Sequence, residues 1–171
     1  MTEQEAIYKI NGQFPAAKAY SPRRMRVFTQ YLPPREFEAA LRFAHDELGF
    51  LKGEHIVGTD EGEDLGFSYI VSNEDYILLV IREKVPKAAP QVKSQSALYP
   101  SLTLHERELV DLFGADMKGL PEGPSYPLPD GWPKGEYPLR KEWKPEYFNK
   151  STMRYEPPEK AGGGAGKEAG K

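Results

Sequence analysis

The chain has 171 residues, 39% of them hydrophobic, with no cysteine and a formal net charge of −3 at pH 7. This is enough apolar material for one ordinary core, and it excludes disulfides and the thiolates that iron–sulfur clusters, zinc ribbons and nickel sites usually require. Acidic side chains dominate up to residue 130, so the basic surface needed for counterion release is missing and nucleic acid is not expected as a partner.

The N-terminal stretch MTEQEAIYKI lacks a basic start followed by an apolar run, so the chain is expected to remain in the cytoplasm. Residues 1–20 are set apart as an N-terminal extension, ahead of an α+β body over 21–117. Arg24 to Gln30 reads as a strand, and Pro33-Pro34 stops it and opens a helix. Phe37, Leu41, Ala44 and Leu48 form the apolar stripe of that helix, which Gly49 ends. Three strands follow: a weak one around His55 to Thr59, then Gly66 to Ser72, then Tyr76 to Arg82 after a tight Asn73-Glu74-Asp75 turn. Asp60 to Asp64 lacks the spacing of a calcium loop and reads as a plain hairpin turn. The longest apolar run, Tyr76 to Ile81, falls far short of the ~20 residues that span a bilayer. A proline-bearing loop occupies Val85 to Tyr99. The expected architecture is a β-α-β-β-β sheet with packed helices, followed by a long extended arm. His45, His55 and His105 show no close metal-ligand spacing, and each is expected as a surface or satisfied histidine.

The segment HERELVDLFG, from His105 to Gly114, reads as a short helix. Leu109, Val110, Leu112 and Phe113 form its apolar arc, with Arg107, Glu108 and Asp111 opposite. Glu106 falls inside the arc and admits two readings. It closes a Thr103-x-x-Glu106 capping box, or it is a buried carboxylate held for an arginine or a backbone amide of a partner, because an unpaired buried charge would not persist.

Beyond Gly114, seven prolines between Pro121 and Pro145 favour extended backbone. From Tyr126 to Tyr155 the segment carries Trp132, Tyr137, Trp143, Tyr147 and Phe148, side chains that dominate interfaces when they fill pockets. Residues 118–160 are therefore assigned as an arm that lies on a surface, either a partner's or that of its own body. Residues 161–171 read as flexible Gly-rich filler.

The order of elements, with Glu106-Arg107-Glu108, Asp111-Leu112-Phe113-Gly114, Gly119, Pro121, Trp132 and Pro138-Leu139-Arg140-Lys141, resembles the thirty-kilodalton subunit family of NADH:quinone oxidoreductase, respiratory complex I, over roughly residues 25–145. The family also occurs in complex I-related membrane-bound hydrogenases. The resemblance implies a cofactor-free, non-catalytic subunit on the cytoplasmic side of the membrane, packed against the large subunit related to the nickel–iron hydrogenase large chain. Iron–sulfur clusters, and in the hydrogenase branch a nickel–iron centre, would then belong to partner subunits. Partner contacts are assigned to Glu106, Arg107, Glu108, Asp111, Phe113 and Gly114 on the helix, and to Trp132, Pro138, Leu139, Arg140, Lys141 and Trp143 on the arm. Leu120 stands where respiratory members usually have histidine, the basic stretch after it is replaced by Glu122 to Pro129, and Tyr99 stands where a tryptophan is usual. These departures favour the hydrogenase branch or a kindred ferredoxin-linked complex. The competing reading from the residues is a small acid–base enzyme using His105, Glu106 and Asp111, although His105 and Asp111 lie far apart around one helix. A further alternative is a soluble binding module.

Overall fold

The computed structural model describes residues 1–157; the Gly-rich segment expected over 161–171 lies outside them. Helix α1 spans Glu3–Gln13 and a single 3-10 turn at Pro15–Ala17 leads to strand β1, Tyr20–Arg23. Strand β2 (Arg26–Leu32), helix α2 (Pro34–Asp46) and strands β3 (Lys52–Asp60), β4 (Asp64–Ser72) and β5 (Leu78–Pro86) complete the main layer pair. A short strand β6 (Gln91–Lys93), a 3-10 turn (Pro100–Leu102), helix α3 (Thr103–Phe113) and strand β7 (Asp116–Lys118) follow. The arm ends in a two-residue hairpin, β8 (Phe148–Asn149) with β9 (Arg154–Tyr155).

The five long strands form one sheet in the order β1-β2-β5-β4-β3, antiparallel except for the central β2–β5 pair. The two-residue side-chain period of a strand sends Val27 and Leu32, Leu79 and Ile81, Phe67, Tyr69 and Val71, and Ile56 to one face, where all are buried. The helices cover that face. On α2, Phe37, Ala40, Leu41 and Ala44 are buried, and the Phe37 ring meets Tyr69 edge-on at 5.0 Å. On α3, Leu109 and Phe113 press onto β3 at Gly58, where an added Cβ would lie 2.5 Å from the Phe113 ring. Glycine at that point is what lets the helix come so close.

Residues 1–20, expected as an extension, are part of the body. Ala6 and Ile10 of α1 are in the common core and Phe14 packs edge-on against Phe43 at 5.7 Å. The helix starts with a capping box in which Thr2 and Glu5 bond each other's backbone N–H groups. The last long strand is also displaced: it begins at Leu78, because Tyr76 closes the preceding turn at φ +62 with its ring 80% exposed. The expected loop over Val85 to Tyr99 contributes the end of β5 and all of β6, which pairs in parallel with β7.

Truncating a core side chain of α1 tests whether the helix belongs to the cooperative unit. Ile10→Ala is expected to cost about 2–4 kcal/mol of unfolding free energy, as emptying a buried aliphatic site usually does, measured by denaturant titration. A loss under about 1 kcal/mol would mean that α1 is docked loosely.

Candidate functional site

Of the residues assigned by sequence, Arg107, Asp111, Gly114, Leu139 and Arg140 meet where α3 joins the arm, while Glu106 lies in the core. The helix starts without a side-chain cap: Thr103 lies inside its first turn and its hydroxyl donates to Pro100 O at 2.7 Å. The capping-box reading of Glu106 is therefore replaced. Glu106 is 0% exposed, and its carboxylate accepts from the Gln95 N–H (2.6 Å), the Tyr69 hydroxyl (3.2 Å) and the Ser94 hydroxyl. A backbone amide does hold the buried charge, but it is the chain's own. Burial raises the Glu106 pKa above the usual carboxylate range, with the three donors opposing the rise.

Glu83 of β5 is the second buried carboxyl on the same core face. It is 1% exposed and its Oε1 has no hydrogen-bond partner among the described residues. Desolvation, reinforced by the negative charge of Glu106, pushes it up to about 8. At neutral pH Glu83 is therefore mainly protonated. Nothing in the apolar alternation of β5 singled it out beforehand except a lone carboxylate at a core-facing strand position.

The other motif residues hold the arm. Arg107 donates to Pro121 O at 2.6 Å, Asp111 accepts from the Leu128 N–H at 3.4 Å, and the Leu139 N–H donates to Leu112 O at 3.1 Å. Gly114 ends α3 at φ +70, with the Tyr137 ring so close that a Cβ would lie 2.5 Å from it. Arg140 spans the helix end: its Nε donates to the unpaired carbonyl of Phe113 at 2.8 Å and its guanidinium lies 4.5 Å from the Tyr137 centroid. The Lys141 N–H donates to Asp60 at 2.8 Å. Asp60, in the turn read as a plain hairpin, also accepts from Lys87 (2.7 Å) and the Gly62 N–H (2.9 Å). Burial pushes its pKa up, but the Lys87 pairing and the two amide bonds outweigh it and bring it to about 2. Lys87 reaches Glu142 as well, at 2.9 Å.

Trp132 and Trp143 sit in an aromatic knot with Phe148, at centroid separations of 4.5 to 5.9 Å, and Tyr155 stacks on Trp143 at 5.4 Å. The arm is thus folded upon itself and on its own body, rather than running out as an extended strap. Leu139 remains 52% exposed, Pro138 is half-buried beside it, and Glu108 faces His105 Nδ1 at 3.6 Å. His105 in turn meets His55 edge-on at 4.4 Å, a pairing that linear spacing did not announce. Among the described residues no three His, Asp or Glu side chains are grouped to hold a metal ion, and the sequence contains no cysteine.

The family described as the respiratory-chain NADH dehydrogenase 30 Kd subunit matches residues 30–149, which contain both the motif helix and most of the arm. The chain belongs to this family. It is 29% identical over 162 residues to a subunit of the F(420)H(2) dehydrogenase of Methanosarcina mazei, covering 90% of this chain and 98% of that one. To the membrane-bound hydrogenase subunit beta of Pyrococcus furiosus it is 30% identical over 151 residues, covering 80% and 83%. Its fold resembles a chain in the structure of the membrane-bound sulfane sulfur reductase, an archaeal respiratory membrane complex, with a TM-score of 0.72 at 20% identity and coverage of 82% and 85%. Among the described residues no helix is long and apolar enough to cross a membrane.

The buried acid pair sets a pH dependence with a definite sign. Glu83 has a folded pKa of about 8 against an ordinary value of 4.5, so its contribution is fully present below pH 4.5 and is lost as pH rises through about 8. The protein is expected to melt lower at about pH 8 than at about pH 6, and Glu83→Gln, which imitates the protonated acid, is expected to narrow that difference. An unchanged difference in thermal melts would mean that Glu83 carries its charge in the folded state.

Proposed function

We propose that this chain is a non-catalytic, cofactor-free peripheral subunit of a complex I-related membrane-bound oxidoreductase, of the energy-converting hydrogenase or F(420)H(2) dehydrogenase type. It braces the large, hydrogenase-like subunit on the cytoplasmic side of the membrane while iron–sulfur clusters in neighbouring chains carry the electrons. The observation behind this reading is how the motif is used. Arg107, Asp111, Gly114 and Arg140 each fasten the arm to α3, so the signature residues build a shaped surface rather than a reaction centre. The names and coverage of the two relatives support the hydrogenase or F(420)H(2) branch.

The acid–base alternative loses its set of residues. Glu106 has no exposed surface and faces the core, while Asp111 is turned to the arm. The three cannot meet one substrate. The arm, proposed over 118–160, presents Leu139, Lys141 and the rim of the Trp132–Trp143 knot to a neighbour, and these are the contacts through which it grips the large subunit.

Two substitutions separate shape from charge. Arg140→Lys keeps the cation but loses the guanidinium plane over Tyr137 and the donor at the end of α3. It is expected to weaken co-purification with the large subunit by roughly 1–3 kcal/mol, whereas Lys150→Gln, at an exposed position beyond the motif, is expected to change it little. Equal, strongly salt-dependent losses for both would show that the arm associates by diffuse attraction.

A further inference from the structure

The sheet has a second face. All three helices pack on the side that carries Val27, Leu79 and Tyr69; on the other side α3 reaches only as far as the β3 edge among the described elements, where the His55 ring lies edge-on to His105 at 4.4 Å. Strand register sets the composition of that open face. Tyr20 stands opposite Phe28, Phe28 opposite Val80, Val80 opposite Ile70 and Ile70 opposite His55, so one apolar row crosses four strands and ends at the β3 edge. The Tyr20 and Phe28 rings are 6.1 Å apart; Tyr20 and, on β3, Val57 are each 41% exposed, Phe28 and Ile70 are half-buried, and Val80 between them is 6% exposed. The next row is Arg23, Arg26, Leu78, Ser72 and Lys52, paired one to the next in the same way, with Arg24 in the adjoining turn. Among the described residues Arg23, Arg24, Arg26 and Lys52 enter no ion pair. On β3 Glu54 accepts from Ser72, and Glu3 of α1, which accepts from the Met25 N–H, lies within reach of the Arg24 charge. At the opposite end the cations are satisfied: Lys84 pairs with Glu61 and Arg82 lies over the Tyr31 ring.

An apolar band with free cations along one border is out of character for a chain of net charge −3. Five strands about 4.8 Å apart and strands about 30 Å long give a face of roughly 600 Å², close to the ~800 Å² that each partner contributes to a standard interface. Residues 158–171 contain no large apolar side chain to cover the band.

We propose that this open face receives an apolar segment of the large-subunit-like neighbour, edged with Asp and Glu on the side that meets Arg23, Arg26 and Lys52. The inference rests on the subunit reading above and adds a second, independent contact to the arm. Apolar contact supplies the affinity, and the one-sided row of cations sets the direction in which the segment lies. The face and the arm then hold the neighbour at two separate places.

The test is photo-crosslinking in the complete complex, with p-benzoylphenylalanine placed at Tyr20, at Val57 and, on the arm, at Leu139. Cross-linked peptides are identified by mass spectrometry, and thermal melts of each variant confirm the fold. The expected result is that Tyr20 and Val57 both join one acid-edged apolar segment of the large subunit, and that Arg23→Glu with Arg26→Glu lowers this yield by about fivefold or more while the Leu139 cross-link persists. Cross-links from Leu139 alone, or Tyr20 and Val57 joining a second copy of this chain, would overturn the proposal and leave the subunit reading standing. If Tyr20 and Val57 join an acid-edged segment of a different subunit and Leu139 joins nothing, the large-subunit assignment is wrong in both places. No cross-link to any chain from any of the three positions would overturn both.

Discussion

A carboxylate sealed from solvent decides where α3 sits, and the arm is placed by α3. Glu106 reaches β4 through the Tyr69 hydroxyl and the strand-to-helix connection through Ser94 and the Gln95 amide. Removing any one donor would leave part of a buried acid uncompensated, at a cost of about 1–3 kcal/mol for a neutral donor and more when the charge is exposed to the full penalty. The short parallel pair β6–β7 lies at the two ends of the segment so fastened. Held at its start by Glu106 and against β3 by Leu109 and Phe113, α3 offers a fixed row of attachment points to the chain that follows.

The arm uses those points in a way that suits proline-rich sequence. Seven prolines between Pro121 and Pro145 interrupt its backbone donors, so its regular structure is limited to short turns and the β8–β9 hairpin. It instead satisfies groups that the body leaves open. Arg140 takes an unpaired carbonyl at the end of α3, Lys141 gives its N–H to Asp60, and Arg107 takes the carbonyl of Pro121. Asp60, with Lys87, joins the β3–β4 turn, the end of β5 and the arm at a single point. The aromatic knot of Trp132, Trp143, Phe148 and Tyr155 then buries apolar surface that an extended strap would leave in water.

This arrangement gives physical content to the idea of a brace. A subunit that orders a neighbour without taking part in electron transfer needs a stiff body and a preorganised contact surface, because ordering a loose arm on binding would consume much of the contact energy. Here the arm is held against its own body by Arg140 and Arg107 and by the Leu139 N–H, as the proposed role would require. The family signature can therefore be understood as the wiring that keeps the arm in shape.

Much of the fold was legible in linear order. Residues Phe37, Leu41 and Ala44 announced α2, the strand read over Gly66 to Ser72 ahead of the Asn73-Glu74-Asp75 turn is β4, and the helix from His105 to Gly114 was bounded to within two residues, because local periodicity, turn residues and a glycine stop carry that information. Local motifs without tertiary support were less dependable. The Thr-x-x-Glu spacing occurs at Thr2–Glu5 and at Thr103–Glu106, and only the first is a capping box; the second glutamate is claimed by core donors that sit 11 to 37 residues away in sequence. The ordered motif residues were enough to suggest the family that the match over residues 30–149 shows. Only the three-dimensional packing decided that Glu106 is satisfied internally, that Glu83 shares its surroundings, that His55 meets His105, and that the arm turns back onto α3, since each depends on side chains whose proximity is created by strand register and helix docking rather than by their spacing along the chain.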